Sequence, residues 1–467
     1  MIDDKWGQPQ TAANQSTIDT WNQSYQQLLH FRGDPIATMA KATATDDCFV
    51  MGSVFNGMYR ALAGTPPNAP VLQNDLATAE ERAVDASERE RNHAAALRQM
   101  IEGDFTAAAR TWDAIVADNP RDLAAAKFVH EVFLHVGDNR ERYDSAVAVH
   151  RNWGEDEPGF GTVVGHLSFA CEEAGDFARA EQLGRQALAI DPQDTWALHS
   201  LAHVYESENR YADALALLEG DDVDWHQAEL LSTHVWWHLA LRYLEAGEHD
   251  RALDVFDQEV DAATTPFRLS DLTSLLWRLN LERCDVGDRW DVMADRWSSA
   301  VERYTVGFLD VHAAMALGMV AAHPGSESFF EGLSAAHSKG VSENAVNFRE
   351  VVRPLAEAVR LFAWAGDDPH IIDTVADQLM ETLPTANRIG GSNAQREILD
   401  RTLAEALLRG SKPERAAAML NRQLKTQPNA SWIHRRLARL AEASGDTATA
   451  SEHSERAEAP FALLGGS

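Results

Sequence analysis

Apolar residues recur along the chain with the spacing of amphipathic α-helices, and short turns separate the helical stretches. A signature repeats within this pattern: a Gly-Asp turn, an aromatic residue, a small residue three positions later, and a proline that closes the second helix. Its clearest copies begin at Gly103 and Gly175, and each reaches its proline, Pro120 or Pro192, after 17 residues. Weaker copies of the turn stand at Gly137, Asn209, Gly247, Gly287, Ser411 and Gly445. From residue 103 to residue 287, successive turns are 34 to 40 residues apart.

The period of this signature predicts pairs of antiparallel helices. Glycine at the turn adopts the left-handed conformation that ends a helix, and the small residue lets the second helix approach the first closely. One hairpin cannot bury its apolar face alone, so neighbouring hairpins stack into a solenoid. We therefore expect an all-α fold, an α-α superhelix of about six to eight hairpins that is partly closed by its flanking segments.

Three regions differ in how clearly they keep the signature. Residues 1–85 have a helical pattern with a Gly/Pro break at 64–67, and residues 86–300 hold the best-phased repeats. In residues 301–467 the pattern degrades before two further repeats at about 400–460. We predict an N-terminal helical segment, a repeat solenoid and a C-terminal helical region with these bounds.

A period of 34 residues is that of the tetratricopeptide repeat, which the chain resembles. Longer segments are similar to the tetratricopeptide repeat protein 38 family: RERNH at 89–93, DTWALHSLAHV at 194–204, HVWWHLAL at 234–241, SLLWRL at 274–279 and DVHA at 310–313. This resemblance spans nearly the whole chain and implies a tetratricopeptide-repeat solenoid. It implies no reaction, because the family offers none to carry over to these residues.

The composition of the chain limits the binding partners and the cellular compartment that we expect for it. Lys and Arg total 41 against 72 Asp and Glu, and the net charge of −31 argues against nucleic-acid or anionic-membrane surfaces, which select basic patches. Cys48, Cys171 and Cys284 are too far apart for a disulfide framework or a CxxC metal knuckle. The N-terminus lacks the features of a signal peptide, and no window of about 18 apolar residues predicts a membrane span. We expect a soluble cytoplasmic protein that binds neither nucleic acid nor membranes.

Histidines concentrate on the first helix of successive repeats, the helix that lines the concave groove of a tetratricopeptide array. His199 and His203 form one i, i+4 pair, and His234 and His238 form another in the next repeat. This spacing places two imidazoles on one helix face, as metal ligation requires, and two pairs in register would complete four-coordination. These histidines are candidate ligands of a divalent metal such as zinc, with Glu206 nearby. The competing interpretation is a polar seam of interhelical hydrogen bonds.

Further residues are candidate contacts for a small ligand. On or near the groove-facing stripe of the first helices these are His93, His130, His166, Trp196, Glu206, Trp237 and Arg278, and outside its register they are His312 and the nearby Asp310. The two tryptophans flank the paired histidines and would form the walls of a pocket. Arg278 would bind a carboxylate or phosphate of the ligand. The alternative for this arginine is an internal bridge to Asp271, Glu282 or Asp310.

The sequence leaves three functions open. The first hypothesis is a groove that binds a small ligand or a divalent metal, and the second is a scaffold that holds a protein or peptide partner. The third is a metal-dependent or His/Glu-dependent enzyme, a hydrolase or lyase. Acidic chaperone tails are disfavoured as partners, because groove positions that would carry Lys and Asn carry His, Glu and Trp. An open groove would favour the scaffold, and a groove plugged by the 301–400 segment would favour the ligand site.

Overall fold

The computed structural model describes residues 1–220, 224–300, 304–366 and 368–461. Their regular secondary structure is helical, apart from an antiparallel ribbon of β1 (Ile2–Asp3) and β2 (Pro9–Gln10). The N-terminal helices are α1 (Gln15–Leu29), α2 (Pro35–Thr45), α3 (Val50–Leu62) and α4 (Pro70–Ala83). No helix in the described ranges combines the length and the apolar content needed to cross a membrane.

Six helical hairpins follow. They pair α5 (Glu88–Glu102) with α6 (Phe105–Asp118), α7 (Leu123–Val136) with α8 (Asn139–His150), α9 (Phe160–Glu173) with α10 (Phe177–Ile190), α11 (Thr195–Ser207) with α12 (Tyr211–Leu218), α13 (Ser232–Glu245) with α14 (His249–Glu259), and α15 (Pro266–Leu281) with α16 (Arg289–Ser299). The C-terminal helices are α17 (Gly307–Met319), α18 (Pro324–Ala335), α19 (Glu343–Asn347), α20 (Arg353–Trp364), α21 (Pro369–Thr382), α22 (Asn393–Arg409), α23 (Pro413–Gln423), α24 (Ser431–Ser444) and α25 (Thr447–Glu458).

The expected all-α solenoid is confirmed, and most hairpins turn where the signature places the turn. Gly103, Gly137, Gly175, Asn209, Gly247 and Gly445 all have positive φ angles, between 55° and 84°. The expected turn at Gly287 is also present, with φ 59°, although α15 ends earlier, at Leu281, and Arg283 takes the left-handed conformation as well, with φ 63°. Gly287 lies two residues before α16 begins, as Gly103 does before α6, but the connection from the first helix is longer.

The first helix of each hairpin belongs to an inner layer that is buried on nearly all sides. In α9, α11, α13 and α15 most residues are buried, whereas α10, α12, α14 and α16 bury one face. A helix that is apolar and buried all around must pack against other elements on both faces. The inner helices therefore have a second cover on the concave side, besides the outer helices.

The N-terminal segment covers one edge of the concave side. Phe31, at the turn between α1 and α2, stacks on Trp196 of α11 with ring centroids 5.9 Å apart. The ammonium group of Lys127 lies over both rings, 5.3 Å from the centroid of Phe31 and 4.9 Å from that of Trp196. The Phe31 carbonyl also accepts the backbone amide of Leu230, just before α13. These contacts hold the N-terminal helices against the middle of the solenoid.

The C-terminal region covers the opposite edge, at the turns of the hairpins. Its contacts there include Asn344 N with Gly103 O, Asn387 Nδ2 with Gly137 O, Asn393 N with Glu173 Oε1, Ala394 O with Arg278 Nη2, and Arg401 Nη2 with Glu245 Oε1, all at 2.7 to 3.2 Å. The helix α22 packs beside α11 and α15. The superhelix is therefore partly closed, as expected, and residues of the 301–400 segment close it.

The Gly137 turn makes a close backbone contact with the C-terminal cover. Gly137 has φ +70°, and a Cβ atom there would overlap the carbonyl group of Asn387. We expect Gly137→Ala to lower the free energy of unfolding by about 3 kcal/mol or more, because backbone strain and steric overlap add. Urea unfolding followed by circular dichroism measures this loss.

Gly175→Ala is the matched control for this substitution. Gly175 has φ +83°, but a Cβ atom at this position would meet nothing within 4 Å. Its substitution should therefore cost only the backbone strain, about 1–2 kcal/mol. Equal losses in the two variants would contradict the contact between the Gly137 turn and residue 387.

Candidate metal centre

Four histidines converge between two neighbouring inner helices. His199 and His203 lie one turn apart on α11, and His234 and His238 lie one turn apart on α13. Because each pair occupies one helix face, both pairs point into the space between the helices. One ring nitrogen from each of the four lies within 4.8 Å of the others. The spatial convergence expected from the spacing is therefore present.

Three of these rings meet through their Nε2 atoms. The Nε2 atom of His199 lies 2.9 Å from Nε2 of His203 and 3.0 Å from Nε2 of His234. The ring centroid of His238 lies 4.6 Å from that of His203 and 4.8 Å from that of His234. Its Nε2 atom has no hydrogen-bond partner among the described residues. The open nitrogen atoms thus face one another.

Carboxylates face the other nitrogen of three of these rings. The contacts are His234 Nδ1 with Asp271 Oδ1 at 2.9 Å, His238 Nδ1 with Glu206 Oε2 at 2.9 Å, and His203 Nδ1 with Glu172 Oε2 at 3.5 Å. A neutral imidazole that donates its Nδ1 proton to a carboxylate keeps a lone pair on Nε2. The same partner sets the ring orientation, as it does for most metal-binding histidines.

Burial keeps the imidazoles of His199, His203 and His238 neutral. His199, His203 and His238 are at most 3% exposed, and the side chain of His234 is 12% exposed. Desolvation lowers the pKa of His203 to about 4 and holds the pKa values of His199 and His238 well below their ordinary range. A neutral imidazole has a lone pair to offer a metal ion, whereas a protonated one has none.

Aromatic rings surround the four histidines. Trp196 packs against His199 with ring centroids 4.8 Å apart, and Trp237 stacks on His234 at 5.2 Å. Phe169, from α9, packs against His199 at 5.3 Å. These rings shield the cluster from water, so that any charge placed at its centre interacts strongly with its ligands.

Arg278 stands at the edge of this aromatic wall and is engaged by the protein. Its guanidinium lies 5.3 Å from the ring centroid of Trp237, donates to the Ala394 carbonyl at 2.9 Å and also donates to Ser274. Its partners are thus an aromatic face, a carbonyl and a hydroxyl, rather than the carboxylates considered from the sequence. Arg278 ties α15 to the start of α22.

Three other candidate histidines lie outside the cluster. His93 has both ring nitrogens occupied, because Nε2 lies 2.9 Å from Asp122 and Nδ1 accepts the indole N–H of Trp112 at 3.1 Å. His130 and His166 stack on each other with centroids 4.6 Å apart and an interplanar angle of 14°. The structure therefore leaves His93 no nitrogen for a ligand and places the stacked pair apart from the four converging rings.

Asp310 and His312 belong to α17 and make local contacts. Asp310 accepts the backbone amide of Tyr304 at 2.9 Å, which orders the entry to the helix. His312 is 2% exposed, and its Nδ1 donates to the Phe308 carbonyl one turn earlier at 2.8 Å. The structure thus places neither residue among the four converging imidazoles.

His312 provides a pH-dependent contribution to stability. Desolvation lowers its pKa to about 4, whereas in the unfolded chain it is near 6.5. Only the unfolded state binds the proton between these values, so the stability of the folded protein falls as pH drops from 6.5 to 4. Between pH 6.5 and pH 4 we expect the free energy of unfolding of His312→Phe to fall by about 3 kcal/mol less than that of the wild type. Urea midpoints at pH 7 and pH 4 measure the difference, and parallel losses would contradict it.

Sequence reasoning missed Asp271 and Glu172 as partners of the cluster. Asp271 lies 37 residues from His234, the histidine that it contacts, and Glu172 lies 31 residues from His203. Both separations are close to one repeat, and positions one repeat apart occupy equivalent places on neighbouring inner helices. A carboxylate about one period away from a histidine is the sequence signal for such a partner.

A comparison with protein families finds a tetratricopeptide repeat in this part of the chain. The family described as tetratricopeptide repeat matches residues 172–221, a stretch that includes α10, α11 and α12. The matched stretch contains His199 and His203 and ends before the second histidine pair. The chain therefore contains a tetratricopeptide repeat at the candidate centre.

Solved structures of helical-repeat proteins are similar to the chain over nearly its whole length. The human IFIT1 dimer with m7Gppp-AAAA has a TM-score of 0.41 and 13% identity, covering 97% of this chain and 96% of that chain. Yeast Tom70 has a TM-score of 0.34 and 14% identity, covering 96% and 92%. The APC/C hetero-tetramer Cut9-Hcn1 has a TM-score of 0.29 and 12% identity, covering 96% and 93%. All three contain tetratricopeptide solenoids.

Proposed function

We propose that this chain is a tetratricopeptide-repeat scaffold that binds one divalent transition-metal ion, zinc in particular. The ligands would be His199, His203, His234 and His238. One observation carries the proposal: four imidazole nitrogens face one another, and three of the rings present their second nitrogen to a carboxylate. Carboxylate–histidine–metal chains of this kind are the usual arrangement at histidine metal sites.

The distribution of protons supports a cation at the centre. His234 and His238 direct Nδ1 at carboxylates 2.9 Å away, so their Nε2 atoms carry lone pairs. His199 has one Nε2 atom, which lies almost equally close to Nε2 of His203 and of His234 and can donate at most one proton. Without a cation, the buried Nε2 lone pair of His238 has no hydrogen-bond donor among the described residues. A metal ion accepts all of these lone pairs, whereas burial disfavours an extra proton.

The donor set and the distances fit zinc. Neutral imidazoles suit zinc, copper, nickel and cobalt, whereas magnesium and calcium prefer oxygen ligands. Tetrahedral coordination with Zn–N bonds of about 2.0–2.1 Å separates the ligand nitrogens by about 3.3–3.4 Å. The Nε2 distances of 2.9 and 3.0 Å would need to open by only a few tenths of an ångström. Zinc binding would cross-link α11 to α13.

Closure of the concave side favours this function over a peptide-binding groove. Phe31 covers one edge of the inner helices, and Asn387 and Asn393 contact the hairpin turns at the other. A tetrahedral site with four protein ligands is also closed to substrate, as structural zinc sites are. The arrangement therefore favours a structural centre in the scaffold over a hydrolase or lyase.

Metal analysis tests the proposal. We expect untagged protein, purified without chelators, to contain about one equivalent of transition metal per chain by plasma mass spectrometry. After the metal is removed, Co²⁺ should restore about one equivalent and produce the strong visible bands of tetrahedral coordination. A protein that is isolated without metal and gives no such bands on Co²⁺ titration would refute the proposal.

A further inference from the structure

A polar pocket lies beside the histidine cluster, between the ends of α11 and α13 and the C-terminal helices α22, α23 and α24. Its volume is about 290 Å³, close to that of about ten water molecules in the liquid. Glu206, whose carboxylate holds His238, lines one side, and Trp432 lines another. The pocket therefore adjoins the candidate metal centre without containing the four imidazoles.

Most charged groups around this pocket neutralise one another. Arg401 lies 2.7 Å from Glu245 and 2.8 Å from Glu397, and Arg242 lies 3.2 Å from Glu206. Buried charges that are paired and hydrogen-bonded in this way need no ligand to compensate them. The charges of these residues are therefore balanced within the pocket wall.

Two charged side chains on the pocket wall have no oppositely charged group within ion-pair distance among the described residues. Arg396 and Asp400 lie one turn apart on α22, a spacing at which opposite charges usually pair. The Arg396 guanidinium instead donates to the carbonyls of Gly390 and Gly391 and, at 2.8 Å, to Asn393. Within the described ranges Arg396 makes no ion pair, and the Asp400 carboxylate has neither a hydrogen bond nor an ion pair. Glu173 acts on Arg396, and Arg422 acts on Asp400, only from beyond ion-pair distance.

Both side chains are half-buried, and desolvation makes this separation of charge costly. Desolvation raises the pKa of Asp400 to about 6 and lowers the pKa of Arg396. Each group would therefore gain from a ligand group of opposite charge. Two further atoms of pocket-lining side chains, Arg242 Nε and Gln423 Oε1, are buried and have no hydrogen-bond partner in the described part of the chain. Arg242 is only 4% exposed, so its unused donor faces the interior.

We propose that this pocket binds a small zwitterion, an amino acid or a dipeptide, with its carboxylate at Arg396 and its ammonium group at Asp400. One helical turn separates the two residues by about 6 Å along α22, which suits a ligand whose opposite charges are close together. Arg396 has donors to spare, because a guanidinium has five N–H groups and its three hydrogen bonds use at most three. The proposal does not require a metal at the histidines.

Calorimetric titration of the untagged full-length protein tests this assignment. The probes are the standard free amino acids and L-alanyl-L-alanine, followed by two blocked forms of the tightest binder. The N-acetyl form lacks the ammonium group, and the amide lacks the carboxylate. We expect a zwitterion to bind and each blocked form to bind at least about tenfold more weakly.

Asp400→Asn is the decisive variant, because it removes one recognition charge and relieves a half-buried, desolvated carboxylate, so the fold should be retained. We expect it to weaken zwitterion binding at least about tenfold, whereas Glu381→Gln, at an exposed carboxylate on α21, should bind as wild type does. Three results would overturn the proposal: no zwitterion binds at about 10 mM, the blocked forms bind equally well, or Asp400→Asn binds as wild type. Metal content measured on the same samples distinguishes failure here from failure of the metal centre.

Discussion

Replacing His199 and His234 together by alanine is expected to abolish stoichiometric metal binding. One ligand would be lost from each helix, and the two remaining histidines cannot complete a tetrahedral site. A ligand that binds only the folded state stabilises it by about 4 kcal/mol at a thousandfold excess over its Kd. Zinc should therefore raise the unfolding temperature of the wild type and leave that of the double variant unchanged. Plasma mass spectrometry and calorimetry, with and without zinc, measure the two effects.

His370→Ala is the control for this prediction. His370 lies on α21, is exposed and is not among the four converging histidines, so its loss should change neither metal content nor the zinc-dependent stabilisation. A double variant that still holds one equivalent of metal would contradict the assignment of the ligands. So would a double variant that zinc stabilises as much as it stabilises the wild type.

Asp122→Ala is expected to lower the free energy of unfolding by about 3–5 kcal/mol, because it breaks a buried charge network. Asp122 is 2% exposed and accepts from Arg89 at 2.6 Å, from His93 at 2.9 Å and from the Ala125 amide at 2.9 Å. Although burial alone would raise the pKa of Asp122, His93 and Arg89 hold it below its usual range. Alanine would leave the buried Arg89 without its closest carboxylate. Urea unfolding at pH 7 measures the loss.

Asp138→Ala separates the charge network from helix capping. Asp138 caps the N-terminus of α8 as Asp122 caps that of α7, and it accepts the Glu141 amide at 3.1 Å without an ion pair among the described residues. Asp138→Ala should lower the free energy of unfolding by about 1 kcal/mol, the usual contribution of a helix N-cap. Because the folded pKa of Asp122 is depressed, its contribution is full above about pH 4 and is lost as the pH falls further. This account would be contradicted if the two variants lost the same free energy of unfolding at pH 7. It would also be contradicted if the loss caused by Asp122→Ala stayed unchanged in acid.

The hairpins could be predicted from the sequence because the rules that form them are local. A left-handed turn residue and a small packing residue act within one hairpin, as at Gly103 and Gly175. In the sixth hairpin the signature marks the start of the second helix at Gly287 but not the end of the first, which comes earlier, next to Arg283, a residue type that rarely adopts positive φ. The cover of the concave side was predictable only in outline. Asn393 contacts Glu173 across 220 residues, and such contacts have no period.

The candidate centre could be located because both its spacings are periodic, one turn within a helix and one repeat between helices. His93 shows where such reasoning ends. It lies ten residues before Gly103, as His199 lies ten residues before Asn209, so both occupy equivalent positions of the stripe. His93 nevertheless has both nitrogens taken by Asp122 and Trp112. Position on the stripe is set by the helix period, but the partners of each ring depend on the neighbouring helices.

X-ray absorption spectroscopy of the zinc-loaded protein at the zinc edge tests the metal centre most directly. Ligation by four histidines predicts about four nitrogen scatterers at about 2.0–2.1 Å, with outer-shell scattering from imidazole rings and no sulfur. A first shell dominated by sulfur at about 2.3 Å, or one of oxygen atoms without imidazole scattering, would contradict the four-histidine centre.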